Sequence, residues 1–176
     1  MRGITSAYSP YRYHSVSQGL IVRLKFQGIY QAAEPLVEGM LACFPGKTFD
    51  FMVPVPLHKS SFNKRGFNQS ELLCRMLTKE SGLPYQNALK KIIKTKRQST
   101  LSHTKRADNV KNAFGVILPV EGMRILLVDD VRTTGSTARA CAEVLLKAGA
   151  REVSLLTAVV AGSYSEKFSS SDSLAL

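Results

Sequence analysis

The chain has 176 residues, room for one domain with a proper core and not for two. At 44% hydrophobic and 21% charged it falls among ordinary globular proteins, and no apolar run approaches the roughly 18–20 residues that span a bilayer. The net charge of +11 is concentrated: 13 basic and 3 acidic residues lie between His58 and Lys111, against 11 and 10 in the rest of the chain. A chain so biased favours polyanions such as phosphates or nucleic acid.

In chain order, the N-terminus Met1-Arg2-Gly3-Ile4-Thr5 lacks the apolar stretch of a secretory signal. The three cysteines, Cys43, Cys74 and Cys141, are too widely spaced for a metal knuckle or a disulfide framework, so a reduced, cytoplasmic protein is expected, with no membrane partner. From Gln18 to Cys43 the apolar residues follow a helical period that Gly28 and Pro35 break into two pieces. Phe49 to Leu57 predicts a strand that leaves its sheet at Pro54 and Pro56, which have no N–H to donate. Asn68 to Ser81 predicts a helix capped by Asn68. Lys94 to Lys111, charged and poor in apolar residues, predicts an exposed loop. Ile125-Leu126-Leu127-Val128 predicts a strand buried on both faces, followed by a helix over Ser136–Ala148 and a second strand over Val153–Val160. Strand, helix and strand in that order imply a right-handed crossover in a parallel sheet, hence an α/β class. Residues 1–162 are expected to form the domain, and the serine-rich stretch 163–176 a disordered tail.

The chemistry points to Asp129-Asp130-Val131-Arg132-Thr133-Thr134-Gly135-Ser136-Thr137. Ligands of open parallel sheets bind beyond the C-terminal ends of the strands, where this segment lies. Its hydroxyls and the free N–H groups of the following helix suit phosphate oxygens, and Gly135 permits a tight turn. The carboxylates of Asp129 and Asp130 would repel a bare phosphate but suit ribose hydroxyls or a magnesium ion. A Thr-Thr-Gly-Ser turn alone is usually a helix cap, and an Asp-Asp pair alone a solvated loop; their conjunction after a buried strand carries the inference. No Gly-Lys-Ser/Thr is present, so this is not a P-loop. A phosphoacceptor signalling domain is disfavoured by the phosphate-type loop after the pair.

ILLVDDVRTTGST, Ile125 to Thr137, resembles the phosphoribosyl pyrophosphate (PRPP) loop of type I phosphoribosyltransferases. Leu24-Lys25-Phe26-Gln27-Gly28, Val53-Pro54-Val55-Pro56-Leu57, Lys64-Arg65-Gly66-Phe67-Asn68-Gln69 and the set Gln98, Leu101, Arg106, Asn109 and Phe114 narrow the resemblance to the ComF competence family. The likeness runs from about Leu20 to Val160. It implies a type I phosphoribosyltransferase-like fold, a twisted, mainly parallel sheet flanked by helices. Many relatives carry an N-terminal four-cysteine zinc ribbon, and this sequence starts after where it would lie, so no structural zinc is carried over.

The resemblance implies Asp129 and Asp130 as the catalytic acids, holding the ribose 2- and 3-hydroxyls directly or through Mg2+. It implies a 5-phosphate cradle over Val131–Thr137, in which Arg132 either meets the phosphate or points to solvent. His58 and Lys59 fall where the pyrophosphate loop of the fold lies, and Lys59 and Arg65 are candidates for electrostatic help. Lys94–Lys111 is similar to the loop that closes over substrate, with Arg97, Gln98, Lys105, Arg106 and Asn109 as its polar candidates. His14 and His103 have no metal-ligand spacing. The acceptor would meet a hood from the N-terminal region that includes Tyr8, Tyr11, Tyr13 and Phe26, although a half-buried strand is the commoner setting for tyrosines there. The implied function is a Mg2+-dependent phosphoribosyltransferase or PRPP-binding protein with a role in DNA uptake. The alternative is a non-enzymatic nucleic-acid-binding or regulatory competence protein that keeps the fold. Candidate partners are PRPP, single-stranded DNA, a competence helicase and a second copy of the chain.

Overall fold

The computed structural model describes residues 3–45, 48–92 and 113–161. Its centre is a five-stranded sheet in which every pairing is parallel. The strands are β1 (Ala7–Tyr8), β2 (Tyr11–Arg12), β3 (Phe51–Pro54), β6 (Arg124–Arg132) and β7 (Glu152–Val160). β6 lies between β3 and β7, and β1 and β2 share the outer edge of β7. A separate antiparallel ribbon joins β4 (Leu89–Lys91) to β5 (Phe114–Val116).

Period-two alternation explains why β6 is apolar without a break. Ile125 and Leu127 face one layer and Leu126 and Val128 the other, all fully buried. The first layer is closed by α5 (Ser136–Lys147), through Cys141, Ala142 and Leu145, and by Phe114 and Leu89 of the ribbon. The second is closed by α1 (Ser15–Phe26), α2 (Glu34–Ala42) and α4 (Gln69–Ser81), through Leu24, Leu36, Met40, Leu73 and Leu77.

Several expectations from the sequence are met. Gly28, at φ +66°, ends α1, and Pro35 sits in the first turn of α2, where no N–H is needed. β3 stops at Pro54, and one more bond, from Val55 N to Val128 O at 2.9 Å, completes its ladder. Asn68 caps α4 by accepting from Ser70 N at 3.1 Å. Cys74 and Cys141 are buried and Cys43 half-buried. Tyr8 and Tyr11 are half-buried in edge strands. Short elements were not foreseen: a 3-10 turn (Tyr30–Ala33), α3 (Lys59–Arg65), and the ribbon. The expected loop over Lys94–Lys111 and the tail over 163–176 lie outside the described residues; Ile92 N donates to Ala113 O at 2.7 Å on either side of the former gap. Among the described residues no helix is long and apolar enough to cross a membrane.

The close approach of α2 to the edge strand sets up a stability test. A Cβ on Gly39 would collide with the Tyr11 ring, whose hydroxyl donates to Pro35 O at 3.1 Å. Glycine to alanine inside a helix ordinarily gains about 1 kcal/mol, but overpacking costs about 1–3 kcal/mol. Gly39→Ala is therefore expected to lower the melting temperature, and Gly39→Ala combined with Tyr11→Ala to melt no lower than Tyr11→Ala alone. Thermal unfolding followed by circular dichroism reads both.

Candidate functional site

The acidic pair sits inside β6 rather than in a loop after it. The ladder with β7 continues through Asp129 against Thr157, Val131 against Val159 and Arg132 against Val160. An apolar run reports burial on both faces, not strand length, so the strand outlasts Val128 by four residues. It ends at Arg132, Thr133 and Thr134 follow, and Gly135, at φ +71°, turns the chain into α5 as its N-cap. No acidic side chain occupies the first turn of α5, which leaves its positive end open to an anion.

A cleft forms where the strand hands over to the helix. It is lined by Asp129, Val131, Arg132, Thr133, Gly135, Ser136 and Thr137 of the expected loop, together with Ala138 and Thr157. Thr134 is not on its wall: its hydroxyl donates to Ser136 Oγ at 3.1 Å and accepts from Ser136 N at 3.4 Å, which braces the turn. Arg132 is among the residues that line the cleft. Thr157, buried on β7, has a hydroxyl without a hydrogen-bond partner.

The two aspartates have different partners. Asp129 Oδ1 accepts from Ser70 Oγ at 3.0 Å and from Asp130 N at 2.9 Å. Asp130 is 6% exposed; its Oδ1 accepts from Val131 N at 2.8 Å and its Oδ2 lies 2.6 Å from Lys25 Nζ. Asp130 is therefore turned toward α1 and is not on the cleft wall. Burial first, and then the neighbouring charge of Asp130, push the Asp129 carboxyl up to about 7, while Lys25, the Asp130 N–H and the Ser70 hydroxyl hold it down. Lys91 is also near: burial lowers its ammonium, Asp129 among others supports it, and its Nζ lies 5.4 Å over the Phe114 ring.

The Lys64–Gln69 segment braces this arrangement. Asn68 Nδ2 donates to Val55 O at 3.1 Å, which fixes the start of α4 to the end of β3. Arg65 donates to Gln69 Oε1 at 3.1 Å and covers the Phe26 ring at 5.4 Å. Tyr30 meets Phe67 edge-on at 4.8 Å. Of the pyrophosphate-loop candidates, His58 is the N-cap of α3, its Nδ1 accepting from Ser60 N at 3.1 Å, and Lys59 is exposed in the first turn. Neither lines the cleft. Of the hood candidates, Tyr8 and Tyr11 are spent on packing, whereas Tyr13 and Phe26 are exposed. Arg97, Gln98, Lys105, Arg106 and Asn109 lie outside the described residues. Lys25, Ser70 and Thr157 were not singled out from sequence, and Lys91 only as part of the basic segment. Lys25 and Ser70 lay inside or next to motifs already noticed, and Thr157 stands out only as a polar residue in an apolar strand.

Among the described residues no cluster of three or more His, Cys, Asp or Glu side chains could hold a metal alone. Asp129 brings one carboxylate to the cleft wall, a hard oxygen donor suited to a Mg2+ that completes its shell with water and phosphate oxygens.

Residues 75–173 match the family described as the phosphoribosyl transferase domain. The chain belongs to that family. It is similar to DNA utilization protein YhgH of Escherichia coli, 43% identical over 105 residues that take in 59% of this chain and 46% of that one. It is similar to competence protein F of Haemophilus influenzae, 37% identical over 106 residues (58% and 46%), and to competence protein ComFC of Bacillus subtilis, 34% identical over 162 residues (86% and 62%). These relatives bear out the resemblance to the ComF family. The match spans about half the length of YhgH and competence protein F. Among solved structures, glutamine phosphoribosylpyrophosphate amidotransferase from B. subtilis superposes with a TM-score of 0.50 at 25% identity, over 73% of this chain and 26% of that one. The type I phosphoribosyltransferase fold is thus present.

The raised Asp129 carboxyl makes stability depend on pH. Between about pH 4 and about pH 7 the folded protein keeps a proton that the unfolded chain has released, so this group lowers stability as pH rises through that window. Asp129→Asn lacks the effect. Its melting temperature, relative to the wild type, is expected to be higher at pH 8 than at pH 5, and thermal melts of both proteins at the two values measure the difference.

Proposed function

We propose that the chain binds PRPP together with Mg2+ in the cleft at the end of β6 and transfers the phosphoribosyl group as a phosphoribosyltransferase. The observation that carries this reading is the cleft itself. An open helix N-terminus, a wall of Thr133, Ser136 and Thr137, a carboxylate from Asp129 and the unpartnered Thr157 hydroxyl converge on one space. Backbone N–H groups at the start of α5 and the threonine and serine hydroxyls receive the 5-phosphate, with Arg132 adding positive charge. Asp129 accepts from the ribose hydroxyls, and Asp130 lies one residue further along the same strand. When bound, Mg2+ neutralises the leaving pyrophosphate.

Cleavage at the anomeric carbon builds positive charge on the sugar ring as pyrophosphate departs. Catalysis then rests on placing the ribose between fixed dipoles and a carboxylate, with water kept out. Arg65 lies over Phe26 and donates to Gln69. Calorimetry with PRPP and Mg2+ tests the reading. Wild type is expected to bind and the Asp129→Asn, Asp130→Asn double variant to lose at least about tenfold in affinity, since charge-assisted bonds are worth about twice neutral ones. Equal affinity in the two proteins defeats it.

A second reading, a protein that handles nucleic acid in competence and DNA uptake, is supported by the +10 segment from His58 to Lys111. The names of the relatives, competence and DNA utilization proteins, point the same way. Single-stranded DNA, a helicase and a second copy of the chain are its proposed partners. Lys59, Lys64, Arg75, Lys79 and Lys90 are exposed and available to phosphates. Lys91 is not, being half-buried against Phe114, and Lys94, Lys96 and Arg97 of the densest basic run lie outside the described residues. Anisotropy of a labelled oligonucleotide across a salt series is expected to give a slope near −0.7 per phosphate neutralised, roughly. Absence of binding at low salt leaves the charge as a solvated surface.

A further inference from the structure

Large apolar side chains scattered singly over a surface need no explanation, but a contiguous group of them does. Phe26 is 64% exposed, Tyr30 51% and Phe62 44%, and none of the three belongs to either core layer. They meet at one corner. Phe26 is the last residue of α1, and the turn at Gly28, φ +66°, brings in the 3-10 turn that Tyr30 opens. Arg65 of α3 lies over the Phe26 ring at 5.4 Å, with Phe62 three residues earlier on the same helix face. Phe67, just past α3, meets Tyr30 edge-on at 4.8 Å. Two segments far apart in sequence thus pool four rings, three of them open to solvent.

The charge around these rings has one sign. α1, the 3-10 turn and α3 contain no acidic residue, and Glu34 enters only at the start of α2. Lys25 is paired with Asp130, but Arg23, Lys59 and Lys64 are exposed on the same elements. Rings interleaved with cations fit a chain that alternates flat bases with phosphates. Bases stack on aromatic rings and guanidinium planes, while lysines meet the backbone. A second copy of this chain, itself at +11, would bring like charge to the corner. We propose that the corner built from Phe26, Tyr30, Phe62 and Arg65 is a base-stacking platform for single-stranded nucleic acid. The inference rests on the nucleic-acid reading and deepens it: the basic segment supplies charge, whereas Phe26 and Tyr30 come from outside that segment. A duplex keeps its bases stacked on one another, so the platform favours strands whose bases are free.

Fluorescence anisotropy with oligo-dT and with an abasic deoxyribose-phosphate strand of the same length separates stacking from charge. Wild type is expected to bind oligo-dT at least about fivefold more tightly than the abasic strand, the low end of what one stacked base contributes. The Phe26→Leu, Tyr30→Leu double variant keeps apolar bulk without the rings. It is expected to lose most of that preference, with an unchanged salt slope because no charge is removed. The Lys59→Gln, Lys64→Gln double variant is expected to do the reverse, giving a shallower salt slope with the preference for oligo-dT kept. Equal wild-type affinity for the two strands, or a preference undiminished in the Phe26→Leu, Tyr30→Leu variant, overturns the platform and leaves charge-driven binding standing. No binding of either strand at low salt overturns the nucleic-acid reading and the platform with it, and leaves the rings to an acidic protein partner. Should the ring variant fail to melt cooperatively, the wild-type comparison of the two strands decides alone.

Discussion

Consecutive carboxylates at the end of a strand that is buried on both faces need counter-charge and hydrogen-bond donors brought from elsewhere in the chain. Most of the local architecture answers that demand. Lys25 comes from α1 to Asp130 and Ser70 from α4 to Asp129, a contact 59 residues apart in sequence. The two helices are in turn joined to each other, since Arg65 lies over Phe26 and donates to Gln69, the neighbour of Ser70. The result is a closed circuit of contacts from Asp130 through Lys25, Phe26, Arg65, Gln69 and Ser70 back to Asp129. A buried charge left without its partner is strongly destabilising, so each link constrains the next. The acidic pair therefore organises the fold around it as much as the fold presents the pair.

This circuit gives a physical meaning to two motifs that look unrelated along the chain. Leu24-Lys25-Phe26 and Arg65-Gly66-Phe67-Asn68-Gln69 meet at one corner of the sheet. Leu24 anchors, Lys25 neutralises and Phe26 gives Arg65 a flat surface to cover. Asn68 does double service, capping α4 and tying its start to Val55 at the end of β3. The corner thus fixes the ends of two neighbouring strands, β3 and β6, at the place where a parallel sheet opens to ligand.

The strands and helices with a clear period were legible in the sequence because burial of one or both faces writes the pattern. β6, β7, α4 and α5 are of this kind. The elements that escaped notice, the 3-10 turn, α3 and the ribbon, have segments of three to seven residues, too short to carry a period. The site was legible where its residues are contiguous, from Asp129 to Thr137, and there the correction is local: Thr134 braces and Asp130 turns away. What no local pattern could show is which distant side chains complete it. Lys25, Ser70 and Thr157 reach Asp129 and Asp130 only through helix packing and strand register, which are properties of the whole fold.

The basic charge separates along the same line. Arg65 and Lys91, half-buried, are directed at aromatic rings beside the acidic pair, whereas Lys59, Lys64, Arg75, Lys79 and Lys90 face solvent. Charges of the second kind act over a distance that salt shortens to about 8 Å at physiological ionic strength. The contacts around Asp130 are short and largely buried, so salt reaches them far less. Two kinds of anion recognition can therefore coexist on one small domain, one set by diffuse surface charge and one by fixed donors. Ionic strength tells them apart because only the first depends on unscreened distance.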